Sequence, residues 1–255
     1  MNVLAILLFI AANLFTLKAV YNKPGPEGPP VFIRQVPVLI YHNITNNSVK
    51  GSPLYISAKN FARQMKCLHD SGFHTILPNQ LEAYYRGVTI LPAKPFMISF
   101  DDAHIEQYTL ATPVINQYGF KAVFFIMTVT IDKKGFLSSV QIKQLAQQGH
   151  VTGAHTWDHP NLKRLQPAQW DKQLIQPKKI LEAITGKPVD CFAYPFGVWD
   201  EHILARIRKA GFVTAFQLTN NCSNSDPLLT IRRIMVNGAW SPHTLLQQMN
   251  FLFPK

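Results

Sequence analysis

The sequence predicts an α/β protein whose parallel sheet closes into a barrel, and three observations support this fold. Strand-like apolar runs alternate with helix-like segments along the 255 residues, without an internal repeat. About seven strand–helix units of this kind are typical of a parallel sheet. No glycine-rich nucleotide fingerprint opens a helix, so a doubly wound open sheet is the second choice. The chemically suggestive residues follow different strands, and barrel active sites form at the carboxyl ends of strands.

The first half of the domain alternates strands and helices. Apolar, β-branched runs predict the strands, whereas capping residues, apolar spacing and terminal glycines predict the helices. The predicted strands cover 36–42, 74–77 and 96–102. The predicted helices run from the Ser57 cap to Gly72, over 80–86, and over 105–117 before Gly119.

The second half continues the same alternation to the carboxyl terminus. The predicted strands cover 121–127, 150–156, 191–196, 212–218 and 230–236. The predicted helices run from Ser138 and Ser139 to Gly149, over 167–185 before Gly186, over 200–210 before Gly211, and onward from a cap at Ser241. Serine and aspartate caps and terminal glycines delimit most of these helices.

The amino terminus predicts export. Residues 3–17 are almost purely apolar, and Lys18 is the first charged side chain. This length suits a secretory signal and is short for a membrane span of about 20 residues. No Lys or Arg precedes the run and the cleavage pattern is poor, so a retained anchor is an equal alternative. We therefore expect a signal peptide or anchor over 1–21, a Pro/Gly-rich linker over 22–35, and one domain over 36–255, outside the cytoplasm.

The net charge limits which classes of binding partner the sequence predicts. The chain has 25 Lys and Arg against 14 Asp and Glu, a net charge of +11. Such a field favours anionic surroundings such as phospholipid head groups or cell-wall polymer. The basic residues are scattered, so we predict no nucleic-acid partner, and a solvated basic surface without a specific partner is the alternative to membrane or cell-wall association. We expect a monomer.

Two predicted strand ends carry residues suited to a metal. Asp101 and Asp102 end a buried run, and neighbours there point in different directions, so that one can ligate an ion while the other faces water. Helix capping is the structural alternative for Asp102. His155 and His159 can converge on one ion if the backbone coils after its strand. With Asp102 they form a two-histidine, one-carboxylate set that leaves ligand positions open, as in catalytic sites.

Three motifs, in this order, resemble those of a known enzyme family. They are SFDD at 99–102, HTWDH at 155–159 and FAYPFG at 192–197. The sequence is similar to the polysaccharide deacetylases of carbohydrate esterase family 4, whose motifs are [T/S]FDD, H[ST]xxH and FRPPYG. The similarity runs from about residue 36 to the carboxyl terminus. It implies a distorted (β/α)7-type barrel forming a single deacetylase catalytic domain.

The resemblance also implies a role for each matching residue. Asp101 corresponds to the catalytic base, while Asp102, His155 and His159 correspond to the metal ligands. The implied metal is Zn²⁺, with Co²⁺, Ni²⁺ and Mn²⁺ as alternatives. Phe196 stands where the family has a tyrosine whose N–H helps to hold the oxyanion. The further oxyanion or substrate candidates are Tyr194, Pro195, Trp157 and Trp199, with core packing as the alternative for the two tryptophans.

Two departures from the family pattern need a substitute. Ala193 stands where the third motif has the arginine that braces the base, and Arg232 or Arg233 could replace it. An outward-facing surface arginine is the alternative for at least one of these two. There is no Leu-x-His motif to supply the acid, since His243 fits a helix start better. His42, in LIYH, resembles the acid of the branch that contains the poly-N-acetylglucosamine deacetylases, which also lacks the arginine.

The implied function is metal-dependent removal of N-acetyl groups from N-acetylhexosamine units of an extracytoplasmic polysaccharide. Two alternatives remain. One is a metal-containing carbohydrate-binding protein with impaired turnover, and the other is an O-acetyl esterase on the same scaffold. The sequence does not select the glycan, because chitin oligomers, peptidoglycan and biofilm polysaccharide all carry the acetamido group.

Overall fold

The strands and helices follow the periodic segments of the sequence. The computed structural model describes residues 35–47 and 52–254. The strands, in chain order, are β1 (Val38–Tyr41), β2 (Asn43–Thr45), β3 (Tyr55–Ser57), β4 (His74–Thr75), β5 (Pro95–Phe100), β6 (Ala122–Ile126), β7 (Val151–Ala154), β8 (Cys191–Ala193), β9 (Thr214–Gln217), β10 (Ile231–Arg232) and β11 (Ile234–Met235). The helices are α1 (Ala58–Asp70), α2 (Pro78–Tyr85), α3 (Thr112–Gln117), α4 (Ser139–Gln147), α5 (Gln176–Thr185), α6 (Glu201–Lys209) and α7 (Pro242–Leu252).

The parallel sheet closes on itself through one short segment. Its order is β10-β9-β8-β7-β6-β5-β1-β11, and β4 pairs with β5 beside this path. The two ends of the path, β10 and β11, are separated along the chain by Arg233 alone. Arg232 pairs with β9, whereas Ile234 pairs with β1 on the opposite edge. The nearly closed parallel barrel confirms the predicted fold class.

Three details differ from the predicted elements. The strand predicted over 230–236 is divided at Arg233, because the chain changes its pairing partner there. The short parallel pair of β2 and β3 was not predicted. The helices predicted over 105–117 and 167–185 each contain a π-helical turn, Gln107–Ala111 and Asp171–Ile175. A proline follows each turn closely, and its missing N–H interrupts the α-helical ladder there.

Strand alternation divides the buried side chains into two layers. One layer faces the helices, and it includes Leu39, Tyr41, Phe96, Ile98, Phe100, Phe124 and Ile126. The other includes Val38, Met97, Val123, Phe125, Cys191, Phe216 and Ile231, together with Ile76 and Leu81 near α2. Because alternate residues of a strand point to the same side, Asp101 shares the side of Met97, and Arg233 shares that of Ile231. The barrel interior is thus apolar along most of the strands and carries ionisable groups at the carboxyl ends of the strands.

Gly153 of β7 is required by this interior packing. A Cβ atom at Gly153 would lie 2.5 Å from the Phe125 ring and 2.9 Å from Cys191 Sγ. Both contacts are shorter than the approach of real carbon atoms, so any side chain here displaces Phe125 or Cys191. The glycine lets Phe125 fill the barrel directly below His155, two residues farther along.

The leader and most of the linker lie outside the described residues. The predicted signal or anchor over 1–21 and the linker through residue 34 belong to this part of the chain. Among residues 35–47 and 52–254, no helix is both long enough and apolar enough to cross a bilayer. Export stays a prediction from the sequence.

His150 makes folding sensitive to acid. Its Nδ1 accepts a hydrogen bond from the Ala122 N–H at 3.2 Å, and its buried Nε2 has no partner among the described residues. Burial, assisted by Lys121, lowers the pKa of His150 to about 4. The unfolded chain, with a histidine pKa of about 6.5, therefore binds more protons between these values, and stability falls as the pH drops through this window. Between neutral pH and pH 5, we expect His150 to lower the free energy of unfolding by about 2 kcal/mol.

This expectation is tested with His150→Gln, whose amide oxygen can still accept from Ala122. Urea unfolding at pH 7.5 and pH 5 should show a smaller acid loss in the variant than in the wild type. His69→Gln, at an exposed position, is the matched control and should keep the wild-type difference. An unchanged acid loss in His150→Gln contradicts the assignment.

Candidate active site

Four strand ends bring ionisable residues to one mouth of the barrel. His42 follows β1, Asp101 follows β5, His155 follows β7 and Arg233 lies between β10 and β11. Carboxyl ends of parallel strands in one sheet open on the same side, so these side chains lie in one place. This arrangement agrees with the placement expected from the sequence.

Asp102, His155 and His159 form a cluster suited to a metal. One ligand atom from each lies within 4.8 Å of the others, and His155 Nε2 is 3.6 Å from Asp102 Oδ1. His155 Nδ1 is 2.7 Å from the Ala193 carbonyl oxygen. A carbonyl can only accept, so Nδ1 donates this hydrogen bond, and Nε2 is the ring nitrogen directed at Asp102 that a metal would use.

The protonation state of His159 also fits metal binding. Burial, reinforced by the neighbouring His155, lowers the pKa of His159 to about 4, so its imidazole is neutral near pH 7. Two imidazoles and one carboxylate form a donor set suited to Zn²⁺ and to other first-row divalent ions. The residues present therefore fit a divalent metal.

The backbone around this cluster is strained. Asp102, Thr156 and His159 have φ angles of 74°, 66° and 61°, in the left-handed region that disfavours side chains. Ala103, the residue after Asp102, has a φ of 62°. The Thr156 hydroxyl accepts the His159 N–H at 2.9 Å and so holds the second turn. Such strain is typical of functional loops, and here it coils the chain so that His155 and His159 return to one point.

Arg233 is the arginine that contacts the predicted base. Its Nη1 donates to Asp101 Oδ1 at 2.8 Å and its Nη2 donates to Oδ2 at 3.0 Å, with both side chains buried. Burial raises the pKa of Asp101, but Arg233, His155 and His42 outweigh it and lower the pKa to about 2. Arg232 instead donates to the Leu252 carbonyl at 2.7 Å. The guanidinium absent at Ala193 is thus supplied by the residue between β10 and β11.

His42 lies at the same mouth with an unengaged ring nitrogen. It is buried, and its Nδ1 has no hydrogen-bond partner among the described residues. Burial lowers the pKa of His42, while the charges of Asp101 and Asp102 oppose the shift. His243 instead lies in the exposed first turn of α7, after the Ser241 cap, as the sequence predicted. Of these two acid candidates, His42 is therefore the one within the electrostatic reach of Asp101.

Comparison with known proteins decides the family. The polysaccharide deacetylase family model matches residues 90–215, which include Asp101, Asp102, His155 and His159. The chain belongs to the polysaccharide deacetylase family. The Bacillus subtilis protein YxkH is 29% identical over 208 residues, covering 81% of this chain and 73% of YxkH.

Two further similarities are to a curated enzyme and to a solved structure. Poly-β-1,6-N-acetyl-D-glucosamine N-deacetylase from Staphylococcus aureus is 27% identical over 179 residues, 64% of this chain. The alignment spans 61% of the length of that enzyme. The deacetylase PplD of Streptococcus pyogenes shares the fold, with a TM-score of 0.78, 24% identity, and coverage of 84% of this chain and 98% of PplD.

The third motif of the deacetylase turns sharply after β8. Phe196 is 59% exposed with a φ of 60°, and its ring centroid lies 4.6 Å from that of His159. Pro195 is buried in the same turn. The Tyr194 side chain points into the core, where its hydroxyl donates to the Leu229 carbonyl at 2.9 Å. Tyr194 can therefore face a substrate only through its backbone.

The two predicted sugar-stacking tryptophans differ in their surroundings. Lys172 Nζ lies 3.4 Å from the centroid of the Trp157 ring, so one face of this ring is covered. Trp199 is partly buried against the core. Trp199 thus contacts the core with part of its surface, and a sugar can stack on the covered face of the Trp157 ring only if Lys172 moves.

Two buried glutamines at the deacetylase site were not singled out from the sequence. Gln107 donates to the carbonyl oxygens of His42 and Asp101. Gln173 accepts the Trp157 N–H at 3.1 Å and donates to Asp158 at 2.8 Å, which supports the loop of the histidine ligands. Each lies on one of the two π-helical turns. A single sequence carries no signal for either, because glutamine at a helical position is ordinary on a solvated face.

Removing the guanidinium of Arg233 should damage both folding and turnover. Arg233→Met leaves the Asp101 carboxylate buried without its partner, and breaking a buried pair costs about 3–5 kcal/mol. Arg233→Lys keeps a charge but loses the two-pronged contact, so we expect a smaller loss of stability and a clear loss of kcat. Thermal unfolding and acetate release measure the two effects. Arg232→Met is the control and should keep near-wild-type kcat; equal effects at both positions contradict the assignment.

Proposed function

We propose that this deacetylase hydrolyses the N-acetyl groups of N-acetylhexosamine units in an extracytoplasmic polysaccharide. The observation that carries the proposal is the Asp101–Arg233 pair, which holds a buried carboxylate beside the Asp102, His155 and His159 cluster. Membership of the deacetylase family supports the acetylated polysaccharide as substrate. Similarity to the poly-β-1,6-N-acetyl-D-glucosamine enzymes makes that glycan the first to test, and the apolar leader favours an external substrate.

The residues of this chain divide the chemistry among them. A divalent ion held by Asp102, His155 and His159 would polarise the acetamide carbonyl and acidify water. Asp101, held ionised by Arg233, accepts a proton from the attacking water. The Phe196 backbone N–H is our candidate donor to the oxygen that gains negative charge.

His42 is the proposed donor to the departing amine. An amine is a poor leaving group unless it is protonated as the C–N bond breaks. Because burial favours the neutral imidazole, His42 must gain a proton before it donates one. The proton that Asp101 removes from water balances the proton that the amine receives, so acetic acid and free amine form without a further reagent.

The impaired carbohydrate-binding alternative depended on the missing arginine of the third motif. The Arg233 guanidinium contacts both oxygens of Asp101, which favours turnover over binding alone. An O-acetyl esterase remains distinguishable by experiment, because ester and amide hydrolysis share the tetrahedral step.

Acetate release by the purified protein tests the proposed function. The panel contains poly-β-1,6-N-acetylglucosamine, chitin oligomers, peptidoglycan and an O-acetylated xylan, each with and without chelator. We expect chelator-sensitive acetate release from an N-acetylated glycan and much less from the xylan. Release from the xylan alone favours the esterase, and glycan binding without release favours the carbohydrate-binding alternative.

A further inference from the structure

We propose that Gln107 is a positioning residue that sets the distance between the base Asp101 and the acid His42. The proposal rests on the proposed function, because it takes these two residues as the proton acceptor and donor. Gln107 is fully buried and belongs to none of the three motifs.

The Gln107 amide lies where the sheet between β1 and β5 ends. The final pair of this ladder joins Tyr41 and Phe100, and the Asp101 N–H still donates to the Tyr41 carbonyl at 3.1 Å. Beyond this bond, Gln107 Nε2 donates to the His42 carbonyl at 2.9 Å and to the Asp101 carbonyl at 2.6 Å. One side-chain amide therefore links the two strand ends at the residues proposed to move protons.

The contact requires an amide nitrogen in particular. Both partners are carbonyl oxygens, so each must receive a hydrogen, and an NH₂ group supplies two from one atom. The other amide atom, Oε1, is buried without a partner among the described residues. Burying an acceptor without a hydrogen bond costs free energy. The two hydrogen bonds donated by Nε2 are therefore the interactions that favour glutamine at position 107.

The backbone of Gln107 is itself held by the π-helical turn. The Thr112 N–H and the Thr112 hydroxyl both donate to the Gln107 carbonyl, the hydroxyl at 2.8 Å. The Gln107 N–H donates to the His104 carbonyl at 3.0 Å. Three backbone contacts thus fix the residue from which the amide reaches the strand ends. Single π-helical turns are frequent at functional sites.

The consequence for turnover follows from geometry. Asp101 and His42 must both reach one acetamide, and a displacement of about 1 Å can cost about 10²-fold in rate. Gln107→Met has similar length but donates no hydrogen bond. We expect kcat on the N-acetylated glycan to fall by about 10–10²-fold, with KM within about twofold. We also expect the ratio of activated-ester to amide hydrolysis to rise, because only the amide needs His42.

Gln64→Met is the matched control. Gln64 is also fully buried, and it makes two hydrogen bonds of 2.9 Å, from Tyr41 Oη and to the Trp240 carbonyl. It should lose stability, as Gln107→Met does, but keep the wild-type kcat and the wild-type ester-to-amide ratio. If Gln107→Met fails to fold, Gln107→Asn retains an amide too short to reach both carbonyls, and we expect an intermediate loss of kcat with an altered ratio.

A measurement without substrate separates this proposal from the proposed function. Ring ¹⁵N resonances of His42 in histidine-labelled, zinc-loaded full-length protein are assigned by their loss in His42→Ala. They should shift in Gln107→Met and stay in place in Gln64→Met. Unshifted His42 resonances, or an unchanged kcat in a folded Gln107 variant, overturn the positioning role. If the wild type releases no acetate from any glycan but the resonances shift, the proposed function fails while the positioning role stands.

Discussion

His155→Ala and His159→Ala should each remove the bound metal and abolish acetate release while leaving the fold intact. Each deletes one of three protein ligands, so the loss should exceed the 10–100-fold effect typical of residues that only support a ligand. The fold should persist because the barrel core does not depend on these side chains. Elemental analysis, circular dichroism and acetate assays measure the three consequences.

His74→Ala is the control for the metal experiment. His74 is exposed on β4, at the opposite end of the barrel interior from the strand ends that carry the site. The His74→Ala variant should bind about one metal ion per chain and release acetate at the wild-type rate. Active wild-type protein without stoichiometric metal contradicts the site, and so does full metal retention in both ligand variants.

Asp101→Asn should reduce hydrolysis of every substrate by about 10²–10⁴-fold, the range of general acid–base contributions. Asparagine fills the same volume beside Arg233 but cannot accept a proton from water.

His42→Ala should instead reduce hydrolysis selectively. A sugar amine needs a proton to leave, whereas the nitrophenolate of an activated acetyl ester does not. The ester-to-amide ratio should therefore rise in His42→Ala and stay nearly constant in Asp101→Asn.

Metal content provides the control for this comparison. Neither Asp101 nor His42 is among the proposed ligands, so both variants should retain the ion. Equal losses on ester and amide in His42→Ala contradict its role as the acid and make His243→Ala the next variant. Loss of metal from His42→Ala contradicts the ligand set.

The strand ends were predictable because their signals are local. SFDD ends a short apolar run that begins after Pro95, and this pattern predicted a buried strand ending in two carboxylates. The four-residue spacing of His155 and His159 required a coiled backbone, and the left-handed φ angles of Thr156 and His159 supply it. The barrel followed from the alternation of segments together with the placement of polar residues after strands.

The choice between Arg232 and Arg233 could not be made from the sequence. Adjacent residues of a strand point to opposite sides, and one position of register decides which arginine enters the barrel. The closing segment adds a second uncertainty, since it pairs with β9 before Arg233 and with β1 after it. The same limit applies to Tyr194, whose direction into the core depends on the partner of its hydroxyl.

The sequence by itself predicted the barrel from its alternating segments and a candidate metal-ligand set from the polar residues that follow the strands, and the motif resemblance implied the candidate base. Only the tertiary structure decided that Arg233 braces Asp101, that His42 lies beside it, and that Gln107 and Gln173 support the two loops. These contacts join residues up to 132 positions apart in the chain. No local pattern encodes them, because they arise where the strands converge at the mouth of the nearly closed barrel.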